Sequence, residues 1–213
     1  MQRRNSESWV ELKLKSVCIL FDVRLRPLRK MATTSAAANT AGTSGKAVMS
    51  AVVITGAGSG IGRATALYLA ETGKYSLALV DSDSDDGKAL CEELHLKHPK
   101  VDIVFAAVDL SVEENVIKLF RSFRKTFGTL HGLVNCAGIN LTSDSPTHVL
   151  AGSILPKLMA NNLHSALFCS TQFIAAAVSE KNPSPPPVGG YSIVNFSASR
   201  NLPKDAFNSH YVR

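Results

Sequence analysis

The 213-residue sequence predicts an α/β fold: a doubly wound parallel sheet of five strands in the order 3-2-1-4-5. Three observations carry this. Strand-like and helix-like segments alternate along most of the chain. The strands read as continuous small or β-branched apolar runs, as strands buried on both faces do. The first of them passes through a glycine-rich turn straight into a helix. Right-handed crossovers then place helices on both faces of the sheet.

That glycine-rich turn organises the rest. Ala51-Val52-Val53-Ile54 has the pattern of a buried strand. Thr55-Gly56-Ala57-Gly58-Ser59-Gly60-Ile61-Gly62 breaks it, and Arg63–Glu71 is a helix pattern rich in Ala and Leu. Strand, turn and helix together make a site for a pyrophosphate. Unpaired backbone N–H groups at the helix start point at the anion, and the helix dipole favours negative charge there. Glycine is needed where a Cβ would hold the backbone off the phosphates or forbid the turn. The spacing is T-G-x-x-x-G-x-G rather than G-x-G-x-x-G. Such a loop by itself is often only a turn; the strand before and the helix after make it a cofactor loop. Thr55, Gly56, Ser59, Gly60, Ile61 and Gly62 are therefore candidate cofactor-binding residues.

Gly73 supplies a helix C-cap, and Tyr75–Val80 is the second strand. Asp81 ends it, about twenty residues beyond the turn, where a carboxylate accepts hydrogen bonds from the adenosine ribose and would repel a 2′-phosphate. Asp81 thus argues for NAD over NADP. Its competing role is to cap the next helix. That helix runs from about Asp85 to His98 with Leu90 and Leu94 inward, Leu96 a further candidate, and Pro99 marking its end. Ile103–Val108 is the third strand, followed by Asp109-Leu110-Ser111. Asp109 is placed to cap the helix Val112–Phe127, whose Ile117, Phe120, Phe123 and Phe127 form a core face. Leu130–Asn135 is the fourth strand and opens into Asn135-Cys136-Ala137-Gly138. A long helix has its firm part at Met159–Val178. Asn182–Gly190 is a surface loop with polyproline character, and Tyr191–Ser197 is the fifth strand, which would form an edge of the sheet.

The glycine turn, an acid ending the following strand and N-x-A-G at this separation resemble the short-chain dehydrogenase/reductase family, from about Ala51 to Tyr211. The resemblance implies a Rossmann-type NAD(P)-binding domain lacking the last strands of the family. In that family the Asp of a D-L-S/T step bonds the adenine amino group, and Asp109 with Leu110 matches it. N-C-A-G stands for N-N-A-G: Asn135 would stabilise the central sheet, while Ala137 and Gly138 let the nicotinamide ribose pass closely. An N-L-x-x-x-x-x-C-T-Q-like helix carries a catalytic Asn that holds a water in a proton relay. Asn162, rather than Asn161, matches it through Leu163 and Gln172. The catalytic Tyr matches Tyr211. For the catalytic Ser, counting forward from Asn195 and back from Tyr211 both reach Ala198, flanked by Ser197 and Ser199; a shift of one residue would bring Ser199 into place.

The activity implied is NAD-dependent oxidation of a secondary alcohol, or reduction of the matching ketone, with Tyr211 exchanging the hydroxyl proton. A homo-oligomer is expected of a full-length relative. A Tyr hydroxyl with a pKa of about 10 needs an adjacent cation to serve at neutral pH. In the family a Lys four residues on, on the same helix face, supplies it. The sequence stops at Arg213, so the expectation is a member shortened before that Lys, with impaired turnover. The alternatives are an inactive nucleotide-binding module or a fragment without function.

The first thirty residues hold eight Lys and Arg against three acids, a net of +5 out of +6 for the chain. The remainder is almost neutral and shows no basic stripe for nucleic acid. Residues 1–45 are expected to be a disordered extension rich in basic and then Ala, Ser and Thr residues, with the domain occupying 46–213. Val17-Cys18-Ile19-Leu20-Phe21 is too short to span a bilayer. A cytoplasmic protein is expected. The alternative, a mitochondrial presequence, has the arginines for it but also Glu7, Glu11 and Asp22 against it. Met31 is an alternative start. Cys18, Cys91, Cys136 and Cys169 show no metal spacing and read as free thiols, Cys136 as a small apolar filler.

Overall fold

Apolar runs become strands where the sequence places them: β2 Ser50–Thr55, β3 Tyr75–Asp81, β4 Ile103–Ala107, β5 Leu130–Asn135 and β6 Tyr191–Asn195. The computed structural model describes residues 23–25, 50–140, 154–178 and 190–197. Between these strands lie α1 Gly60–Thr72, α2 Ser84–Lys97 and α3 Glu113–Phe127. A longer helix follows in three parts, α4 Ile154–Met159, a π-helical turn Ala160–His164, and α5 Ser165–Ala177.

The five strands pair in parallel in the order β4-β3-β2-β5-β6. Counted as five, this is the predicted 3-2-1-4-5. One strand was not expected. Val23–Leu25 forms β1, antiparallel to β6, with Val23 opposite Ile193 and Leu25 opposite Tyr191. It gives β6 an antiparallel neighbour, where the sequence led us to expect a sheet edge. An edge strand presents unpaired N–H and C=O groups, and any nearby extended segment can satisfy them.

The sheet is buried on both sides. On one face α3 and α5 close over Val53, Val80 and Leu133 with Phe120, Phe123 and Phe173. Each such aromatic, fully buried, contributes roughly 1.5–3 kcal/mol. On the other face Ala66 and Ala70 of α1 and Leu90 and Leu94 of α2 cover Ile54, Leu77 and Leu79. Helix α2 approaches β4 closely through Gly87, where a Cβ would lie 2.0 Å from two ring carbons of Phe105. The core faces differ from expectation in two places. Leu96 is 84% exposed, because it follows Leu94 by two residues, about 200° round the helix, and so lies on the face opposite Leu90 and Leu94. In α3, Val116 and Leu119 are buried beside Phe120 and Phe123, whereas Ile117 and Phe127 are half-buried.

The register between β2 and β5 slips once. Ala51 faces Leu130 but Val52 faces Gly132, so one step along β2 spans two along β5. His131 is the extra residue of this bulge.

Candidate active site

A cleft of about 330 Å³ opens at the C-terminal ends of β2, β3, β4 and β5. Its floor is the glycine turn. Gly56 has φ +64° and Gly60 φ +49°, in the left-handed region that favours glycine. Gly62 is held by packing: a Cβ there would lie 2.0 Å from the Gly56 carbonyl oxygen. Gly56 in turn lies against β5, where its Cβ would come within 2.8 Å of the Ala137 backbone. Ser59 is the extended N-cap of α1, and its side chain makes no capping bond. The first turn of α1 carries no acidic residue, so its N–H groups and positive dipole end face the cleft without a competing carboxylate.

Thr55 and Asn135 frame the cleft rather than line it. The buried Thr55 Oγ1 accepts from the amides of both Cys136 and Ala137, at 3.1 Å each. Asn135, also buried, donates from Nδ2 to Asn195 Oδ1 at 2.8 Å and to Ser170 Oγ at 3.2 Å. It thereby ties β5 to β6 and α5. Its Oδ1 is buried without a hydrogen-bond partner among the described residues.

Asp81 is fixed at both carboxylate oxygens. Oδ2 accepts from the Gly58 amide at 2.8 Å and Oδ1 from the Asp83 amide at 3.0 Å. It does not cap α2. That role belongs to Asp83, whose side chain accepts from the amides of Asp85 and Asp86. Asp109 likewise lies ahead of α3, whose N-cap is Val112. Its carboxylate instead closes a local turn, accepting from the Ser111 amide at 2.9 Å and hydroxyl at 2.6 Å. The expected capping role for Asp109 is thus corrected: three intervening residues carry it out of reach of the first turn.

Gly56, Ser59, Gly60, Ile61, Gly62, Asp81, Asp109, Leu110, Ala137 and Gly138 all line the cleft. Asn162 does not. Its side chain turns to Ile139, accepting from that amide at 2.7 Å and donating to that carbonyl at 2.9 Å. Asn161 and Ser165 line the cleft instead, together with Ser82, Cys136 and Ile139. The π turn is the cause: an extra residue in the turn changes which side chains face the strand end. Asn161 and Ser165 are four apart, a spacing that would have marked one helix face. Cys136, read as a filler, is half-exposed at the cleft wall. Cys91, Cys136 and Cys169 form no disulfide. Burial pushes the Cys169 thiol up to about 12 and also raises Cys91. Tyr211, Ser199 and Ala198 lie outside the described residues, as does most of the proline-rich loop. Among the described residues no helix is long and apolar enough to cross a membrane.

This geometry has counterparts. A chanoclavine-I dehydrogenase of Arthroderma benhamiae is 37% identical over 86 residues, covering 40% of this chain and 35% of that protein. The structure of a levodione reductase superposes with a TM-score of 0.56 at 29% identity, covering 60% of this chain and 49% of the other. An alcohol dehydrogenase from Thermococcus sibiricus, complexed with 5-hydroxy-NADP, gives 0.55 at 27% identity, covering 60% and 53%. The chain therefore spans between a third and about half the length of these relatives. The sequence model for short chain dehydrogenases matches residues 50–184, and with the parallel sheet and the glycine turn in place, the chain belongs to that oxidoreductase family.

Proposed function

We propose that the cleft binds NAD in preference to NADP and that the protein serves the oxidation of a secondary alcohol or the reduction of the matching ketone. The single observation that carries the cofactor reading is Asp81, whose carboxylate is anchored at the adenosine end by the Gly58 and Asp83 amides. A fixed carboxylate there accepts from ribose hydroxyls and repels a 2′-phosphate. The residues present fit a dinucleotide. The turn at Gly56–Gly62 leaves a cradle that a Cβ at Gly62 would close, and the α1 N-terminus supplies amides for a pyrophosphate. Asp109 and Leu110 line the adenine side, and Ala137 and Gly138 leave room on the other.

When bound, the nicotinamide supplies or accepts a hydride. The chain's own residues orient and exchange protons. Asn162 acts in this reading as a positioning residue, holding Ile139 and the end of β5 beside the cleft. Tyr211 would exchange the hydroxyl proton and Ser199 would polarise the carbonyl, both by resemblance to the family. A second copy of the chain is the proposed partner. Leu155, Met159, Leu163 and Leu167 recur every fourth residue and are 40–57% exposed. Segment 154–178 contains no acidic residue that association would have to desolvate. Light scattering tests this, since a monomer at micromolar concentration would remove the proposal.

The cofactor reading is tested by titrating NAD and NADP against the purified chain and its Asp81→Ala variant. NAD should bind more tightly to the starting protein, and the variant should lose most of that preference. Equal affinity of the starting protein for both cofactors would sink the assignment.

A further inference from the structure

At the end of the sheet away from the cleft, the bulge between β2 and β5 has a chemical consequence. A bulge leaves a backbone group without its ladder partner. Here the amide N–H of Ala51 is taken up by a side chain: His131 Nδ1 accepts it at 3.1 Å. Accepting through Nδ1 fixes the ring as the neutral tautomer with its proton on Nε2. The half-buried ring also stacks on Tyr191 of β6, with centroids 6.3 Å apart and planes 15° from parallel. One imidazole therefore joins β2, β5 and β6.

We infer that His131 is an acid-sensitive pin in the sheet, which holds the Ala51 amide of β2 while neutral and releases it when protonated. A protonated imidazole has donors at both nitrogens and no acceptor. The Ala51 N–H would then meet another N–H and lose its partner in a half-buried place, which destabilises the fold. Strand β2 is the one that runs into the glycine turn, so the pin acts on the strand that carries the cleft floor.

The direction with pH follows. Burial lowers the His131 pKa below its ordinary value, so the unfolded chain binds this proton more readily than the folded one. Stability is full above the unfolded value of about 6.5 and falls as pH drops from there toward the lowered folded value. The titratable groups on the elements packed on this face are the Tyr191 phenol of β6 and the Cys169 thiol of α5, with Glu113, Glu114, Lys118, Arg121, Arg124 and Lys125 of α3. Burial, not any of these charges, is the cause of the lowering.

The test is thermal unfolding of the full chain between pH 7.5 and 5.0, beside His131→Asn and His131→Asp. Asn offers an acceptor that does not titrate, and Asp one that stays ionised to about pH 4. The starting protein should lose about 2–4 °C more in Tm across this range than either variant, as expected for one hydrogen bond in a chain of this size. An equal or smaller loss in the starting protein overturns the inference, as does a Tm that does not move. Should neither variant fold, the His131 ring proton resonances decide. A titration midpoint below about 6.5 supports the pin, and one at or above that value removes it.

Discussion

Gly62→Ala puts a single methyl group where the structure leaves no room. The new Cβ would lie 2.0 Å from the Gly56 carbonyl oxygen, 2.6 Å from its carbon and 3.1 Å from the Ala57 nitrogen, all backbone atoms. No rotamer relieves this. Bringing the nearest contact to a tolerable separation requires the turn and α1 to part by about 1 Å, and overpacking of this kind costs about 1–3 kcal/mol or more. For a chain of this length each kcal/mol lowers Tm by roughly 2–4 °C. The same displacement pulls the α1 amides away from a bound pyrophosphate. Loss of one charge-assisted hydrogen bond, about 1.5–3 kcal/mol, weakens binding roughly 10- to 100-fold. Differential scanning calorimetry reads the first effect and NADH fluorescence titration the second. Gly60→Ala is the control. Its Cβ would meet nothing within 4 Å, so it carries only backbone strain of about 1–2 kcal/mol and should melt closer to the starting protein. Unchanged Tm and NADH affinity in Gly62→Ala, or a lower Tm for Gly60→Ala than for Gly62→Ala, would refute the reasoning.

Three further outcomes are expected. Gly87→Ala should lower stability by about 1–3 kcal/mol by driving a methyl into the Phe105 ring, and Phe105→Leu should recover part of this in denaturant titrations. Thr55→Val keeps the shape but strips the Cys136 and Ala137 amides of their acceptor, costing about 1–3 kcal/mol; Thr55→Ser should retain most of it, and equal stability of Val and Ser variants would count against the frame. Cys169 should resist iodoacetamide at pH 8, since its buried thiol titrates only at about 12. Half-exposed Cys136 should react first among Cys91, Cys136 and Cys169 and be protected by NAD, and mass spectrometry showing early labelling of Cys169 in folded protein would contradict its burial.

The sheet was legible because strands buried on both faces must be apolar at every position, so Val52–Ile54 and Leu77–Val80 cannot be mistaken for half-exposed ones. The glycine turn was legible for a related reason: close backbone approach leaves glycine as the residue without a clash. What sequence could not give were the departures from regular period. The side of the long helix facing the cleft depends on the π turn, which adds one residue and brings Asn161, not Asn162, to the cleft wall. The bulge at His131 is of the same kind, a slip in register with no signature in residue type. Asp81 and Asp83 look alike in an acidic run, and only the backbone path assigns one to the cleft and the other to the helix cap. Strand β1 is three residues long, too short for alternation to show.

The π turn also sets the aim of the apolar stripe on the long helix. A repeat of four residues on a regular α-helix advances by about 40° at each step, because 3.6 residues complete a turn. Leu155, Met159, Leu163 and Leu167 would therefore spiral around an uninterrupted helix by roughly a third of a circle. The wider turn at Ala160–His164 winds more slowly, since its hydrogen bonds reach one residue further, and it takes back part of that rotation. The same insertion that turns Asn162 toward Ile139 thus keeps four large side chains in line on the outer surface. Converting the turn to ordinary helix without changing its length would swing Leu167 about 120° away from Leu155.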